Sequence, residues 1–138
     1  MEIVYVAPEN IGAAWQHFRD YAEQVIEMTG GRRTSTGFLM DLINGNEILW
    51  MIMEEDEAIG FCSMAFIHYD KAKILQVKML SGDKFDEWKD PLNARLEVFA
   101  QENGCNGMEL IGRRGWVRRL ADLGWQERFT TMEKRFDE

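Results

Sequence analysis

Residues 108–136, MELIGRRGWVRRLADLGWQERFTTMEKRF, constrain the architecture more than any other stretch, because they read as a strand, a turn, a short amphipathic helix, a glycine stop and a second strand. Trp116, Val117, Leu120 and Leu123 fall on one helical face, while Arg118, Arg119 and Asp122 point away from it. Gly124 sits where a helix ends most cheaply in a left-handed residue without a Cβ, and Trp125 can fold back on the last turn. Residues after Trp125 are expected to return as a strand.

The preceding chain supplies the other layers. Residues 2–6, EIVYV, alternate like a strand that Pro8 ends. Ile11, Ala14, Trp15, Phe18, Ala22, Val25 and Ile26 form one stripe of a long helix, with Asn10 as its expected N-cap and Gly30-Gly31 as its stop. Thr34–Thr36 offers hydroxyl caps to a second, shorter helix whose Phe38, Leu39, Leu42 and Ile43 face inward. ILWMIM at 48–53 is apolar throughout, and GFCSMAFIHYD is apolar or small on both faces, so these two strands suit a hairpin inside a sheet covered on both sides. ILQVKML follows as a central strand interrupted by Gln76 and Lys78, a pair of candidate cleft residues. Asp90 and Pro91 read as the start of a helix over 90–104, and GMELIG closes the circuit into the opening segment. The order is β-α-α-β-β-β-α-β-α-β in one domain spanning 1–138, an α/β (α+β) chain with a mixed sheet of about six strands.

A helix that ends in Gly-aromatic and runs into a strand, here LADLGW, resembles the C-terminal half of the GNAT superfamily of N-acyltransferases, and the element order resembles that family along nearly the whole chain. The resemblance implies a GNAT-like fold, with acetyl-CoA as the cofactor if the protein is an enzyme. IGRRGWVRRLADLGW followed by ERF also resembles small GNAT-like proteins of tailed bacteriophages, which implies a virion or host protein as partner.

The family's functional motifs are altered. Its Arg/Gln-x-x-Gly-x-Gly/Ala loop lets bare backbone N–H groups surround a pyrophosphate. This chain has SGDKFDEWKDPLNARL there, with Asp83, Asp86, Glu87 and Asp90 set to repel a diphosphate. Aligning the family's Asn-x-x-Ala-x-x-x-Tyr-x-x-x-Gly-Phe pattern on Gly124 and Trp125 puts Arg113 at the Asn position, Trp116 at the Ala position and Leu120 at the Tyr position, where the usual general acid is lost. No catalytic residue can be named from the sequence. Two functions therefore stand: a non-catalytic GNAT-like binding protein with no cofactor expected, or an acyl-CoA-dependent N-acetyltransferase acting on a small amine or a protein amine.

Charge limits the partners. With 24 acidic and 16 basic residues the formal charge is −8, which disfavours a nucleic-acid partner. Arg113, Arg114, Arg118 and Arg119 are the one concentration of positive charge, suited either to a protein surface or to simple solvation. Trp88, between Glu87 and Lys89, reads either as an exposed interface anchor or as a cover for the end of the sheet. Two cysteines without a leader-like segment suggest reduced thiols in a cytoplasmic protein, or a virion protein if phage-encoded. Two histidines and no ligand spacing argue against a metal site, and no apolar run suggests membrane insertion.

Overall fold

The computed structural model describes residues 1–136. Strand β1 (Glu2–Val6) leads through a single 3-10 turn into helix α1 (Ile11–Glu27) and then α2 (Ser35–Ile43). Strands β2 (Ile48–Glu54), β3 (Glu57–His68) and β4 (Lys73–Gly82) follow, then α3 (Phe85–Glu102), β5 (Gly107–Leu110) and α4 (Gly115–Leu120), which tightens into a 3-10 turn over Ala121–Leu123. The five strands lie in sequence order. Neighbours are antiparallel except β4 and β5, which run parallel with Ile74 opposite Gly107 and Val77 opposite Leu110, as a helical crossover requires.

Both sheet faces are covered, as the two-faced strands predict. Phe18, Phe38, Leu49, Met51 and Phe61 form one core beneath α1 and α2, with the Phe18 and Phe38 rings packed edge to face. Ile52, Cys62, Met64, Leu75 and Val77 form the other beneath α3, whose Trp88, Leu92, Leu96 and Ala100 complete it. Thr34 caps α2, its hydroxyl accepting from the Gly37 N–H at 3.0 Å, and Gly124 takes a φ of 89° at the end of the α4 segment.

Three expectations are corrected. Asn10 makes no side-chain cap, because Pro8–Asn10 already form a 3-10 turn that carries the chain into α1. Helix α3 starts at Phe85, five residues before Asp90, so Pro91 lies inside it. An internal proline loses one hydrogen bond and crowds the preceding turn, at about 3 kcal/mol, but starting at Phe85 puts both Phe85 and Trp88 into the core. Burying two such aromatic side chains outweighs that cost, at roughly 1.5–3 kcal/mol for a phenylalanine alone.

The third correction is the strand count: five rather than about six, because residues 125–136 form no strand. The chain is instead held at its two ends. The Trp125 indole donates to Asn93 Oδ1 of α3 at 2.8 Å, while Glu133 pairs with Arg32 and Arg135 donates to the Gly30 carbonyl in the α1–α2 turn. These anchors belong to different helical layers, Asn93 to α3 on one face of the sheet and Gly30 and Arg32 to the α1–α2 turn on the other.

Candidate functional site

The site follows from where β4 and β5 stop pairing. Their ladder ends at Val77–Leu110, whereas β4 continues to Gly82, so the last five residues of β4 have no strand on that side. Within the same strand Ser63 pairs with Met79 and Met64 with Val77, leaving Lys78 as the extra residue of a bulge. A splayed pair beside a bulge opens a gap under α3 and α4.

That gap is largely filled. The remaining cavity is about 20 Å³, bounded by Val77, Leu80, Phe85, Leu110, Leu120 and Trp125 among others, which is room for about one water molecule. Leu120 is buried. Helix α4 is fastened to the first half of α3 by Lys89 Nζ to Asp122 at 3.2 Å, by Trp125 to Asn93, and by Arg119, which lies 3.8 Å from Asp86. The Arg119 guanidinium stacks 4.6 Å over Phe85 and 5.3 Å over Trp116, and those two rings meet edge to face at 5.0 Å.

The β4–α3 turn is equally occupied. Trp88 has no exposed surface, and its indole N–H donates to the Asp83 carbonyl at 2.7 Å. Its six-membered ring lies where a Cβ on Gly60 or Gly82 would intrude, at 2.9 and 3.0 Å. Gly82 also has a φ of 154° and backbone within 2.4 Å of that Cβ, so only glycine fits there. An exposed interface role for Trp88 is therefore ruled out: it plugs the turn from below and covers the end of the sheet. The turn is tied outward by Asp83 N–H to the Ile59 carbonyl at 2.7 Å, by Lys84 to Glu54 at 2.6 Å and by the Tyr21 hydroxyl, which donates to Asp83 Oδ2 at 2.9 Å. Asp86 and Glu87 occupy the first turn of α3, where the helix dipole already favours negative charge.

Burial and the neighbouring Asp83 carboxylate push the Tyr21 phenol up from 10.0 to about 12. A raised acid favours its protonated form in the folded state, so its contribution is complete below the unfolded value and is lost as pH rises through the folded one. Wild-type stability should therefore fall between about pH 10 and 12 more steeply than that of Tyr21→Phe, as read by urea melts across that range. Equal slopes would show that the phenol does not couple to folding.

Gln76 and Lys78 lie on the other face of the sheet, away from the gap. The Gln76 amide donates to Glu109 Oε2 at 2.7 Å, and the same oxygen accepts from the Tyr69 hydroxyl at 2.8 Å. Lys78 Nζ stands 4.0 Å from Glu47. Glu47 was not visible as a candidate in the sequence, yet its side chain is fully buried and bound bidentately by Arg33, at 2.7 and 3.1 Å. Burial opposes the Arg33 charge, but Glu47 and Asp41 more than offset it and hold the guanidinium above its ordinary range. This network ties the α1–α2 turn to β2 and β4.

Arg113, Arg114 and Arg118 are exposed, and among the described residues no carboxylate lies within 4 Å of them. Arg119 is committed to α3. His17 and His68 are exposed and far apart in the chain; among the described residues no cluster of three His, Cys, Asp or Glu side chains could hold a metal. Burial pushes the Cys62 thiol far up, which keeps it from acting as a nucleophile. No described helix is long and apolar enough to cross a membrane.

No family model matches this sequence, and no curated protein does. Solved structures do. A probable acetyltransferase superposes with a TM-score of 0.73 at 16% identity, covering 100% of this chain and 99% of that one. An aminoglycoside N-acetyltransferase solved in complex with CoA gives 0.74 at 15%, covering 97% and 93%. A ribosomal-protein-alanine N-acetyltransferase from Brucella melitensis biovar Abortus gives 0.73 at 12%, covering 99% and 100%. The chain therefore has the GNAT fold, a mixed sheet between two helical layers.

Proposed function

We propose that this protein is a GNAT-fold binding protein that does not use its acyl-CoA cleft for catalysis, and that its partner is another protein. The observation that carries this reading is the direct fastening of α4 to α3 across the gap left by the splay of β4 and β5. A pantetheine-sized chain cannot enter a cavity of about 20 Å³ without undoing the Lys89–Asp122, Arg119–Asp86 and Trp125–Asn93 contacts. The acidic first turn of α3, the plug formed by Trp88 and the aliphatic Leu120 support it further. No cofactor is expected on this reading.

The partner surface is built on Arg113, Arg114 and Arg118, with Arg119 held beside them. Exposed guanidinium groups suit bidentate recognition of carboxylates, and arginine is among the residues that most often anchor interfaces. A virion or host protein is the partner that the phage-like wording of this segment suggests. Replacing Arg114 and Arg118 by Ala should weaken the complex about tenfold or more, since losing such an anchor typically costs about 2 kcal/mol. The melting temperature should barely move, because both side chains are exposed. An undiminished complex would remove the arginines from the interface.

The second reading, an acyl-CoA-dependent N-acetyltransferase, is favoured by the bulge at Lys78 and the splay themselves, which leave strand N–H groups of β4 without a strand partner. The CoA-bound structural neighbour is consistent with it. On that reading acetyl-CoA is the cofactor, and α4 must release α3 before it binds.

A further inference from the structure

A groove of about 450 Å³ opens between β1 and α3, at the opposite edge of the sheet from β5. Tyr5 and Trp50 stand directly opposite each other in the β1–β2 ladder, so their side chains share the face that α3 covers. The cover stops short of β1: Trp50 is buried beneath Arg95 and Phe99, whereas Tyr5 is 54% exposed and Val98, on the rim of α3, is 53% exposed. Ile48, Trp50 and Phe99 thus make an apolar floor, with Tyr5 on one wall and α3 as the other.

The two ends of the groove carry opposite charges. Arg95 is fixed at one end: its guanidinium stacks 5.1 Å over the Trp50 ring, and Nη1 donates to the Ile3 carbonyl at 2.6 Å. That bond uses one of the five N–H donors of the guanidinium, and among the described residues no carboxylate comes within 4 Å of it. Glu102 stands two turns further along the same side of α3, about 10 Å of rise away, and among the described residues no cation comes within 4 Å of it. On a chain of formal charge −8, an arginine held on an aromatic ring and left without a carboxylate is a receptor for an anion that the chain does not supply.

We propose that this groove binds a short extended peptide with free ends, its C-terminal carboxylate on Arg95, its N-terminal amine beside Glu102 and an apolar side chain on the floor made by Trp50 and Phe99. Three extended residues span about 10 Å, which matches the separation of the two charges. A dianion is opposed by Glu102, and a lone cation finds the Trp50 face already taken by the Arg95 guanidinium. The edge of β1 favours a peptide over another linear zwitterion. The Ile3 carbonyl faces away from β2, where Arg95 reaches it, so the main-chain groups of Tyr5, two residues on, face the same way. An extended peptide meets them with its own amides.

Titration of the full chain with Gly-Phe-Gly, followed by the NMR signals of the Tyr5 amide and the Trp50 indole N–H, tests this. Saturable one-to-one binding is expected. Amidating the peptide's C-terminus should weaken it about tenfold, through loss of a charge-assisted bond to a fixed guanidinium. Acetylating its N-terminus should weaken it about threefold, as for an exposed ion pair. Free phenylalanine, whose two charges sit on one carbon, should bind more weakly than the tripeptide. Glu102→Gln, an isosteric change at an exposed position, should bind the free and N-acetylated peptides equally. Val98→Trp, which sets an indole across the groove from its exposed rim, should abolish binding without lowering the melting temperature. No saturable shift, a peptide amide that binds as well as the acid, or binding that survives Val98→Trp overturns the proposal. So does an N-acetyl penalty that persists in Glu102→Gln, since Glu102 would then not meet the amine.

Discussion

Trp88→Ala is expected to destabilise the protein by about 3–5 kcal/mol, the range for deleting a fully buried aromatic side chain. The site cannot collapse around the smaller residue, because its walls are the backbone of Gly60 and Gly82. The Asp83 carbonyl also loses its indole donor, which adds roughly 1 kcal/mol. The turn between β4 and α3 should loosen, so proteolysis near Asp83–Lys84 should increase along with the loss of stability. Trp88→Phe separates the two effects, since it retains most of the apolar volume but not the N–H. A loss under about 1 kcal/mol for Trp88→Ala, on the scale of an ordinary surface change, would show that the indole is not the plug described.

Glu47→Ala should cost about 3–5 kcal/mol, because it leaves Arg33 largely buried opposite no bidentate partner. Asp41, at 3.1 Å from the same guanidinium, is half-exposed and cannot replace it. The pair itself need not be worth that much. Two buried charges lose hydration that their attraction only partly returns, so Arg33→Met combined with Glu47→Leu should cost far less than the sum of the single changes. Urea denaturation of the two single variants and the double variant measures the difference. Additive losses would mean that Arg33 and Glu47 act independently, against the bidentate geometry.

Much of the fold was legible because the elements carry strong periodic patterns. The stripe from Ile11 to Ile26, the two-faced strands β2 and β3 and the Gly124 stop each have a local cause, and each formed where the residues place it. Where two local rules conflict, the sequence misleads. Asp90-Pro91 is a good helix start, but Phe85 and Trp88 can be buried only if the helix begins earlier, and that gain depends on Gly60, 25 residues before Phe85 in the chain. Trp88 could be read either as exposed or as covering the end of the sheet for the same reason, since its charged neighbours point outward while it points in.

The strand expected after Trp125 shows the limit of reading periodicity. Strand-like composition says that a segment suits a sheet, not which edge it will find. At the site, the acidic turn and Leu120 were visible from aligning motifs. The fastening of α4 to α3 was not, because Lys89, Asn93, Asp122 and Trp125 meet only after the chain has folded through β5. Glu47 gave no signal at all: one carboxylate between a turn and an apolar strand looks solvated until Arg33 is brought over it.

Calorimetric titration of the full chain with acetyl-CoA decides whether the gap between β4 and β5 admits the cofactor. With α4 fastened over the gap and the α3 N-terminus occupied by its own carboxylates, no resolvable binding heat is expected at micromolar cofactor, and no acetylation of added amines. Micromolar affinity, accompanied by transfer of the acetyl group to an amine, would contradict it and place the protein among the acetyltransferases whose fold it shares.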